Sequence, residues 1–416
     1  MSKDIASCGI IKISTFENAK QIMRYIAANY VFPVTSAPLK NGIVVLENNT
    51  IIEIIDTQGK IKEIAGMEFY NGVLIPGFVN AHCHLELSYL KDQIVQPENL
   101  ADFITQIRKK RKNNLTKSDI KLLVHADNDM FAEGISAIGD ISNNDISFEL
   151  KTQSPVFYHT FIEIFGLAKE NVQNIISRSL NLYQSITKQC HASVVPHAAY
   201  SVSPELFAEI NRLAKQNNSM LSMHNQESKA ENELFMTKSG TIYETVRNLQ
   251  IDMSDFRITG KTSLQSVLHH FPKDNNLLLV HNIYTNETDI DHTIYQDYNY
   301  VFWVLCPKSN LLIQKCLPDI HLFRRKQVVL CLGTDSLASN NKLSILEEMI
   351  TIKKFYPQIE FIELLNWATI NGAKALNIAD RFGSLEVGKT PGIALIEHFD
   401  FRNMCLSENS KARRIA

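Results

Sequence analysis

Two histidines one residue apart, His82 and His84, close the apolar stretch GVLIPGFVNAHCH and introduce metal-binding chemistry early in the chain. In an extended strand residues i and i+2 point to the same side, so both imidazoles can face one ion while Cys83 points away. Neutral imidazole is a common ligand of divalent metals. A pair is weak evidence alone, and the remaining ligands must come from elsewhere in the sequence.

Further metal-capable or acid–base residues follow later apolar runs. They are His197 in VVPHAAYS, His224 and Glu227 in HNQE, His281 in LLLVHN and Asp335 in LCLGTDS. Each has an ordinary explanation, since a lone strand-end histidine is more often a core residue, and the acids fit helix starts. Independent accidents would not place such residues at the ends of five strand-like runs along one chain. The set therefore indicates one site where strand ends meet.

The elements that would position these residues alternate along the chain. Between about residues 72 and 355, eight apolar strand-like runs alternate with longer amphipathic stretches. Eight strand–helix units over roughly 300 residues predict an α/β fold, a distorted (β/α)8 TIM barrel, in which the carboxyl ends of the strands share one mouth. An open doubly wound sheet is the alternative, and the lack of a glycine-rich phosphate loop after any early strand speaks against it.

Short β-like segments near both ends predict a second, smaller unit. GIVVLENNTIIEIID alternates and turns at Asn48–Asn49 as a hairpin does, and GSLEVGKTPGIALI is similarly short and β-branched. We predict a small β-sandwich side domain built from both chain ends. Its N-terminal part spans residues 1–75, the metal-dependent barrel spans 76–370, and the C-terminal return spans 371–416.

Composition limits the classes of function. Hydrophobic residues make up 45% and charged residues 21% of the 416 residues, as in soluble globular proteins. A formal net charge of -2 gives no reason to expect a nucleic acid or a membrane surface as partner. No apolar run has the length of a transmembrane helix, no signal peptide is evident, and seven scattered cysteines predict no disulfides. We expect a cytoplasmic protein with a small-molecule substrate.

Together these motifs resemble the metal-dependent amidohydrolase superfamily, in its branch of deaminases and chlorohydrolases. That branch includes cytosine, guanine, adenosine and aminofutalosine deaminases. The resemblance lies in PGFVNAHCHLE, HNQE, LVHN, CPKSN, LGTDS and the segment NGAKALNIADRFGSLEVGKTPGIALI. It implies one divalent metal ion per chain, with four ligands: His82, His84, His224 and Asp335. Zinc suits such N/O ligands with one open position, and iron fits the same set.

The implied reaction is hydrolytic deamination of an amino-substituted N-heterocycle by a metal-bound hydroxide. Asp335 would bind the ion and accept a proton from the water, and His281 would orient the hydroxide. Glu227 would protonate a ring nitrogen and then pass a proton to the leaving amine, the role that a non-ligand glutamate takes in zinc nucleobase deaminases. Substrates of this kind are adenine-containing nucleosides, such as aminofutalosine, or free nucleobases.

Three more residues are assigned to the substrate. His197 resembles the substrate-contacting histidine of strand four, and Asn310 belongs to the CPKSN motif. Glu86 has two interpretations, a hydrogen bond to a substrate amino or hydroxyl group or a structural salt bridge. No arginine follows the metal pair, unlike branch members that bind S-adenosylhomocysteine-like nucleosides. The long segment 228–270 predicts a helical excursion that covers the mouth or mediates an oligomer contact, for example in a homodimer.

Two other functions compete with deamination. A triazine-type chlorohydrolase or N-alkylaminohydrolase would use the same ligands, but chloride leaves without a proton, so the acid at Glu227 favours an amine leaving group. A non-catalytic scaffold with the same barrel would be expected to lack ligands, whereas every proposed ligand is present.

Overall fold

The computed structural model describes residues 23–112, 114–188 and 190–416. In these ranges fifteen strands form three sheets. They are β1 Met23–Val31, β2 Leu39–Lys40, β3 Ile43–Glu47, β4 Thr50–Ile55, β5 Glu68–Pro76, β6 Phe78–Cys83, β7 Ile135–Ser142, β8 Phe157–Ile164, β9 His191–Pro196, β10 Leu221–Asn225, β11 Leu277–His281, β12 Val301–Leu305, β13 Val329–Leu332, β14 Ile393–Glu397 and β15 Lys411–Arg414.

Helices connect and cover the strands. The α-helices are α1 Leu100–Lys110, α2 Lys117–Ala132, α3 Phe148–Gln153, α4 Val172–Ile186, α5 Pro204–Asn217, α6 Lys229–Thr237, α7 Thr241–Asn248, α8 Ser263–Val267, α9 Glu287–Tyr295, α10 Pro307–Gln314, α11 Ile320–Arg325, α12 Ile345–Phe355, α13 Phe361–Ala368 and α14 Ile370–Ala375. Short 3₁₀ helices span Leu85–Leu90, Lys169–Asn171, Ala199–Ser201 and Leu268–His270.

The centre of the molecule is formed by eight parallel strands, β6 to β13. They make two four-stranded sheets, β6-β7-β8-β9 and β10-β11-β12-β13, in chain order. Backbone hydrogen bonds cross both gaps between the sheets: His224 N donates to His197 O at 2.9 Å, and Asp335 N donates to His82 O at 3.1 Å. The predicted α/β class with strands in barrel order is confirmed, although the strands are divided between two sheets.

The central strands are apolar on both faces because helices cover them outside and the other strands pack inside. In β11 the run Leu277 to Val280 is fully buried. The helix that follows, α9, begins at a capping box in which the side chains of Asn286 and Asp289 accept from each other's backbone N–H groups. The excursion predicted over 228–270 contains α6, α7, α8 and the 3₁₀ helix Leu268–His270.

A side sheet is built from strands near both ends of the described chain. Its order is β15-β14-β5-β1-β3-β4, with β2 beside β1. The predicted hairpin is confirmed, because β3 and β4 are joined at Asn48 and Asn49, whose φ angles of 50° and 70° are those that a tight hairpin turn requires. The two-layer sandwich and the domain boundaries at 75/76 and 370/371 stay predictions, and residues 1–22 of the predicted side domain lie outside the described ranges.

The stretch GVLIPGFVNAH, predicted as one strand, is two strands in different sheets. Its first half belongs to β5, which pairs with β1 and β14, and its second half is β6 of the central sheet. The chain crosses at Gly77, where an added Cβ would lie 1.9 Å from Ser136 Oγ. That close approach requires glycine. Both halves are equally apolar, so hydrophobicity alone does not reveal the boundary.

The helices and cysteines of the described residues bear on two expectations from the composition. The described helices include none whose length and apolar character would suffice to cross a bilayer. Six cysteines are described and all six are free thiols, whereas Cys8 lies outside the described residues.

Candidate active site

The four side chains predicted as metal ligands meet at the carboxyl ends of the central strands. The Nε2 atom of His84 lies 3.1 Å from Nε2 of His82 and 3.3 Å from Nε2 of His224. Oδ1 of Asp335 lies 3.4 Å from His84 Nε2 and 3.8 Å from His82 Nε2. All four residues are buried.

This spacing fits one divalent cation. Ligand atoms about 2.1 Å from a tetrahedral ion lie about 3.4 Å from one another, and the distances between 3.1 and 3.8 Å bracket that value. Buried imidazole nitrogens turned toward one another without a donor for each are a poor arrangement unless a cation joins them. Burial alone would raise the pKa of Asp335, but the hydrogen bond with His82 and the nearby His84 hold it well below its usual range. The carboxylate is therefore charged and ready to bind a cation.

A second set of contacts orients two of these side chains. Nδ1 of His224 is hydrogen-bonded to His197 O at 2.9 Å, which turns Nε2 toward the cluster. Oδ2 of Asp335 accepts from Ser309 Oγ at 2.7 Å and from Ser339 Oγ at 2.6 Å, which leaves Oδ1 for the cluster. Partners of this kind fix the direction of metal-binding side chains.

Glu227 and His281 lie together beside the cluster, with 3.8 Å between Glu227 Oε2 and His281 Nε2. Burial raises the pKa of Glu227 to about 8 and lowers the pKa of His281 to about 4. At neutral pH Glu227 therefore carries a proton and His281 is a neutral imidazole. Because His281 Nδ1 donates to Asn310 Oδ1 at 2.8 Å, its Nε2 is left as an acceptor.

The backbone at the site is strained at three points. Gln226, His281 and Asp335 have φ angles of 47°, 75° and 56°. Residues other than glycine are uncommon in this left-handed region and are held there by their surroundings. Each of these residues stands at the end of a central strand or just beyond it. His281 and Asp335 belong to the site themselves, and Gln226 directly precedes Glu227.

Five of the residues described above form the floor of a cavity of about 940 Å³. His84, His224, Glu227, His281 and Asp335 all line it. The outer wall is mainly apolar and comes from α1, the segment after β8, and α7 with the residues that follow it; it includes Phe103, Ile107, Phe165, Val246 and Leu249. Three arginines also line the cavity, namely Arg108, Arg111 and Arg178.

The three residues predicted to contact substrate have different surroundings. His197 lines the cavity, and its Nδ1 is hydrogen-bonded to Ser201 Oγ at 2.8 Å. Asn310 contacts the ring of His281 and is not among the lining residues. Glu86 is buried; its carboxylate forms an ion pair with Arg111 and accepts from Asn143 N at 3.1 Å. Of the two interpretations of Glu86, the salt bridge is the contact observed.

Glu163 is a cavity residue that the strand-end motifs do not single out. Its Oε1 lies 3.3 Å from His224 Nδ1, and its Oε2 accepts from Asn143 Nδ2 at 2.9 Å. It occupies the end of β8 in the segment FIEIFG. An acid at the end of an otherwise apolar strand is the same signal that identifies Asp335, and it could have identified Glu163 as well.

Comparisons with known proteins show what the whole chain is similar to. The sequence model of the amidohydrolase family matches residues 73–411. The chain is 27% identical over 361 residues to adenosine deaminase of Helicobacter pylori, covering 84% of this chain and 86% of that protein. It is 29% identical over 358 residues to aminodeoxyfutalosine deaminase of Nitratiruptor sp., covering 83% and 85%. The crystal structure of Helicobacter pylori aminofutalosine deaminase is similar with a TM-score of 0.76 at 25% identity, covering 90% of this chain and 92% of that one.

Proposed function

The chain belongs to the amidohydrolase family, and on that premise we propose that it is a metal-dependent aminohydrolase that deaminates adenine-type nucleosides. Relatives named as adenosine, 5'-deoxyadenosine and aminodeoxyfutalosine deaminases support this choice of reaction. The observation that carries it is the buried carboxyl group of Glu227, whose pKa burial raises to about 8, beside His281 and next to four convergent metal-type ligands at the floor of the cavity.

His82, His84, His224 and Asp335 would hold one divalent ion. Three nitrogens and one carboxylate oxygen suit zinc with an open position, and they accept iron as well. When bound, such an ion lowers the pKa of a water molecule to near neutrality and so supplies the nucleophile.

Glu227 supplies the proton that the heterocycle needs. As the water oxygen adds to the ring carbon that bears the amino group, Glu227 gives its proton to the adjacent ring nitrogen. Asp335 accepts a proton from the attacking water, and Nε2 of His281 accepts a hydrogen bond that orients it. Glu227, now a carboxylate, takes up the proton of the added hydroxyl and passes it to the amine, so that the C–N bond breaks, ammonia leaves and a ring carbonyl remains. The proton held by Asp335 then restores the acid at Glu227.

The cavity favours a nucleoside over a free base. Its volume of about 940 Å³ lies toward the upper end of the range typical of small-molecule sites. The floor is polar and the outer wall apolar, which suits a substrate with an amino-heterocycle at one end and a larger substituent at the other. Adenine-containing nucleosides with a 5' substituent, aminofutalosine among them, match this division. Displacement of halide from a triazine needs no proton on the leaving group, so the second proton transfer assigned to Glu227 would have no use there.

Several properties of the enzyme follow as proposals from its sequence. The net charge of -2 supports a small molecule, with neither nucleic acid nor membrane, as partner. Free cysteines support a cytoplasmic location. A homodimer and a barrel spanning residues 76–370 belong to the same proposal.

Ammonia release from a panel of amino-heterocycles tests the proposed function. The panel contains adenosine, 5'-deoxyadenosine, adenine, guanine and cytosine, together with a chlorotriazine assayed for chloride. We expect ammonia from the nucleosides and about one equivalent of zinc or iron per chain. Chloride release without ammonia, or full activity in metal-free protein, would contradict the proposal.

A further inference from the structure

Glu231, in the first turn of α6, is a completely buried carboxylate that the proposed chemistry does not use. Its Oε1 accepts a hydrogen bond from Gln226 N at 3.0 Å, and its Oε2 accepts one from Glu227 N at 3.3 Å. Both carboxylate oxygens are thus engaged by adjacent backbone groups of the short loop between β10 and α6. That loop carries the proton donor.

An ordinary helix cap does not account for these bonds. In a capping box the acid at the third helical position bonds to the backbone N–H of the N-cap residue, which is Ser228 here. Glu231 instead reaches the two residues before Ser228. It therefore fixes the peptide group between Gln226 and Glu227 more than it satisfies the start of α6.

The cost of burying Glu231 also points away from a role in stability alone. Within the described ranges, no lysine, arginine or histidine forms an ion pair with it. Its hydrogen-bond donors are neutral, namely the backbone N–H groups of Gln226 and Glu227 and the hydroxyl of Ser263. A buried carboxylate without a counter-charge is costly. A neutral glutamine or an apolar side chain would usually serve packing better.

The same loop is held from its other side. Gln226 Nε2 donates to Asp289 Oδ2 at 2.8 Å, and Gln226 Oε1 accepts from Thr285 Oγ1 at 2.6 Å. Asn225 Nδ2 donates to Asn282 Oδ1 at 3.0 Å, and Asn282 N donates to Asn225 O at 3.0 Å. All five side chains are buried. The loops after β10 and β11 are thereby tied together, and these loops carry the proton donor and its neighbouring histidine.

We propose that Glu231 is a positioning residue: its carboxylate clamps the backbone of Gln226 and Glu227 and so sets the direction from which Glu227 delivers its proton. Gln226 has a left-handed φ of 47°. A residue other than glycine keeps this backbone conformation only when its surroundings hold it, and the two hydrogen bonds to Glu231 do so here. The inference rests on the proposed role of Glu227 as proton donor.

Glu231→Gln tests the clamp because the side chain keeps its size. The amide retains one acceptor oxygen and turns a donor NH₂ group toward the other backbone N–H. We expect kcat to fall about tenfold to a hundredfold, as a displacement of about 1 Å does for catalytic groups, with KM and metal content nearly unchanged. Asp127→Asn is the matched control: Asp127 is also buried, accepts from Tyr158 Oη at 2.6 Å and does not line the cavity. Its kinetics should match wild type.

A double-mutant cycle separates positioning from general damage. In a Glu227→Gln background, Glu231→Gln should cost less than about twofold in kcat, because both changes remove the same proton transfer. If the two substitutions reduce kcat by factors that multiply in the double mutant, the inference is overturned. If Glu227→Gln alone keeps the wild-type rate, the proposed function is wrong in its proton donor, and the two failures are distinguished.

Thr285→Val provides a second route should Glu231→Gln fold poorly. It removes the hydroxyl that donates to Gln226 Oε1 and leaves the volume of the side chain similar. We expect a smaller loss of kcat that also disappears in the Glu227→Gln background. An unchanged kcat in Thr285→Val would mean that holding the loop of Gln226 and Glu227 in place has no catalytic role, which would contradict the inference.

Discussion

The floor and the outer wall of the cavity differ in construction. The floor consists of side chains at the ends of hydrogen-bonded strands, and each of these side chains is nearly inaccessible to solvent. The wall consists of helices and connecting segments, and Phe165 and Leu249 are 53% and 43% exposed there. Strand ends hold reacting groups rigidly, whereas covering segments can vary without disturbing the sheet. We therefore expect the reaction and the choice of substrate to be controlled by different parts of the fold.

The largest expected effect is the loss of a floor ligand. His84→Ala removes the imidazole whose Nε2 lies closest to two other ligands. We expect metal content to fall to background and deamination to become undetectable, measured by elemental analysis and ammonia release. His125→Ala, a change on the exposed face of α2, should alter neither quantity. Metal retained at wild-type level in His84→Ala would remove this residue from the ligand set.

A second change on the floor should distinguish the loss of the proton donor from the loss of the metal ion. Glu227→Gln is expected to keep metal and to lower kcat by about 10²–10⁴-fold, the usual contribution of a positioned acid. In wild type, burial raises the pKa of Glu227 to about 8. Since the protonated acid is the active form, kcat should fall as the pH rises through this value. A rate that continues to increase above it would argue against Glu227 as the donor.

A change in the wall should affect substrate choice more than chemistry. Leu249→Ala removes an exposed apolar side chain that lines the cavity. We expect KM to rise up to about tenfold for nucleosides with a large apolar 5' substituent and less for adenosine, with kcat little changed. Leu122→Ala, similarly exposed on α2 and outside the cavity, is the control. Equal effects on both substrates would mean that the wall does not contact the substituent.

The smallest expected effect lies at the rim. Arg108→Ala should lower kcat/KM for nucleosides with an anionic substituent by about twofold to tenfold, mainly through slower association that depends on salt. Lys109→Ala, one residue along α1, changes the same charge at a position that does not line the cavity. If both variants respond alike, a general charge effect explains the result and Arg108 has no local role.

The residues of the floor could be predicted from the sequence because nearly all of them stand at the ends of apolar strands. A polar residue that ends an apolar strand must point to the mouth of a barrel, and His82, His84, His224, His281 and Asp335 each satisfy that rule. Their convergence then follows from the position of the strand ends around one mouth. The rule does not say which of these side chains bind the ion, and that division was implied by the resemblance to the amidohydrolase superfamily.

The wall and the supporting contacts could not be predicted in this way. Glu86 pairs with Arg111, 25 residues away on the far side of α1, and no periodic pattern announces that contact. The clamp by Glu231 looks in sequence like an ordinary acid in a first helical turn. The crossing at Gly77 depends on the closeness of Ser136, which only the folded chain reveals. Contacts set by tertiary packing leave no local signal.

The strand order of the side sheet affects how the protein can fold during its synthesis. β5 lies in its interior, and one edge of β5 pairs with β14, more than 300 residues later in the chain. During synthesis that edge, with the apolar segment Val73–Ile75, must wait until the whole barrel has left the ribosome. An open apolar strand edge is a template for pairing between nascent chains. Misassembly during production should therefore begin at this sheet, even in a protein whose barrel folds without fault.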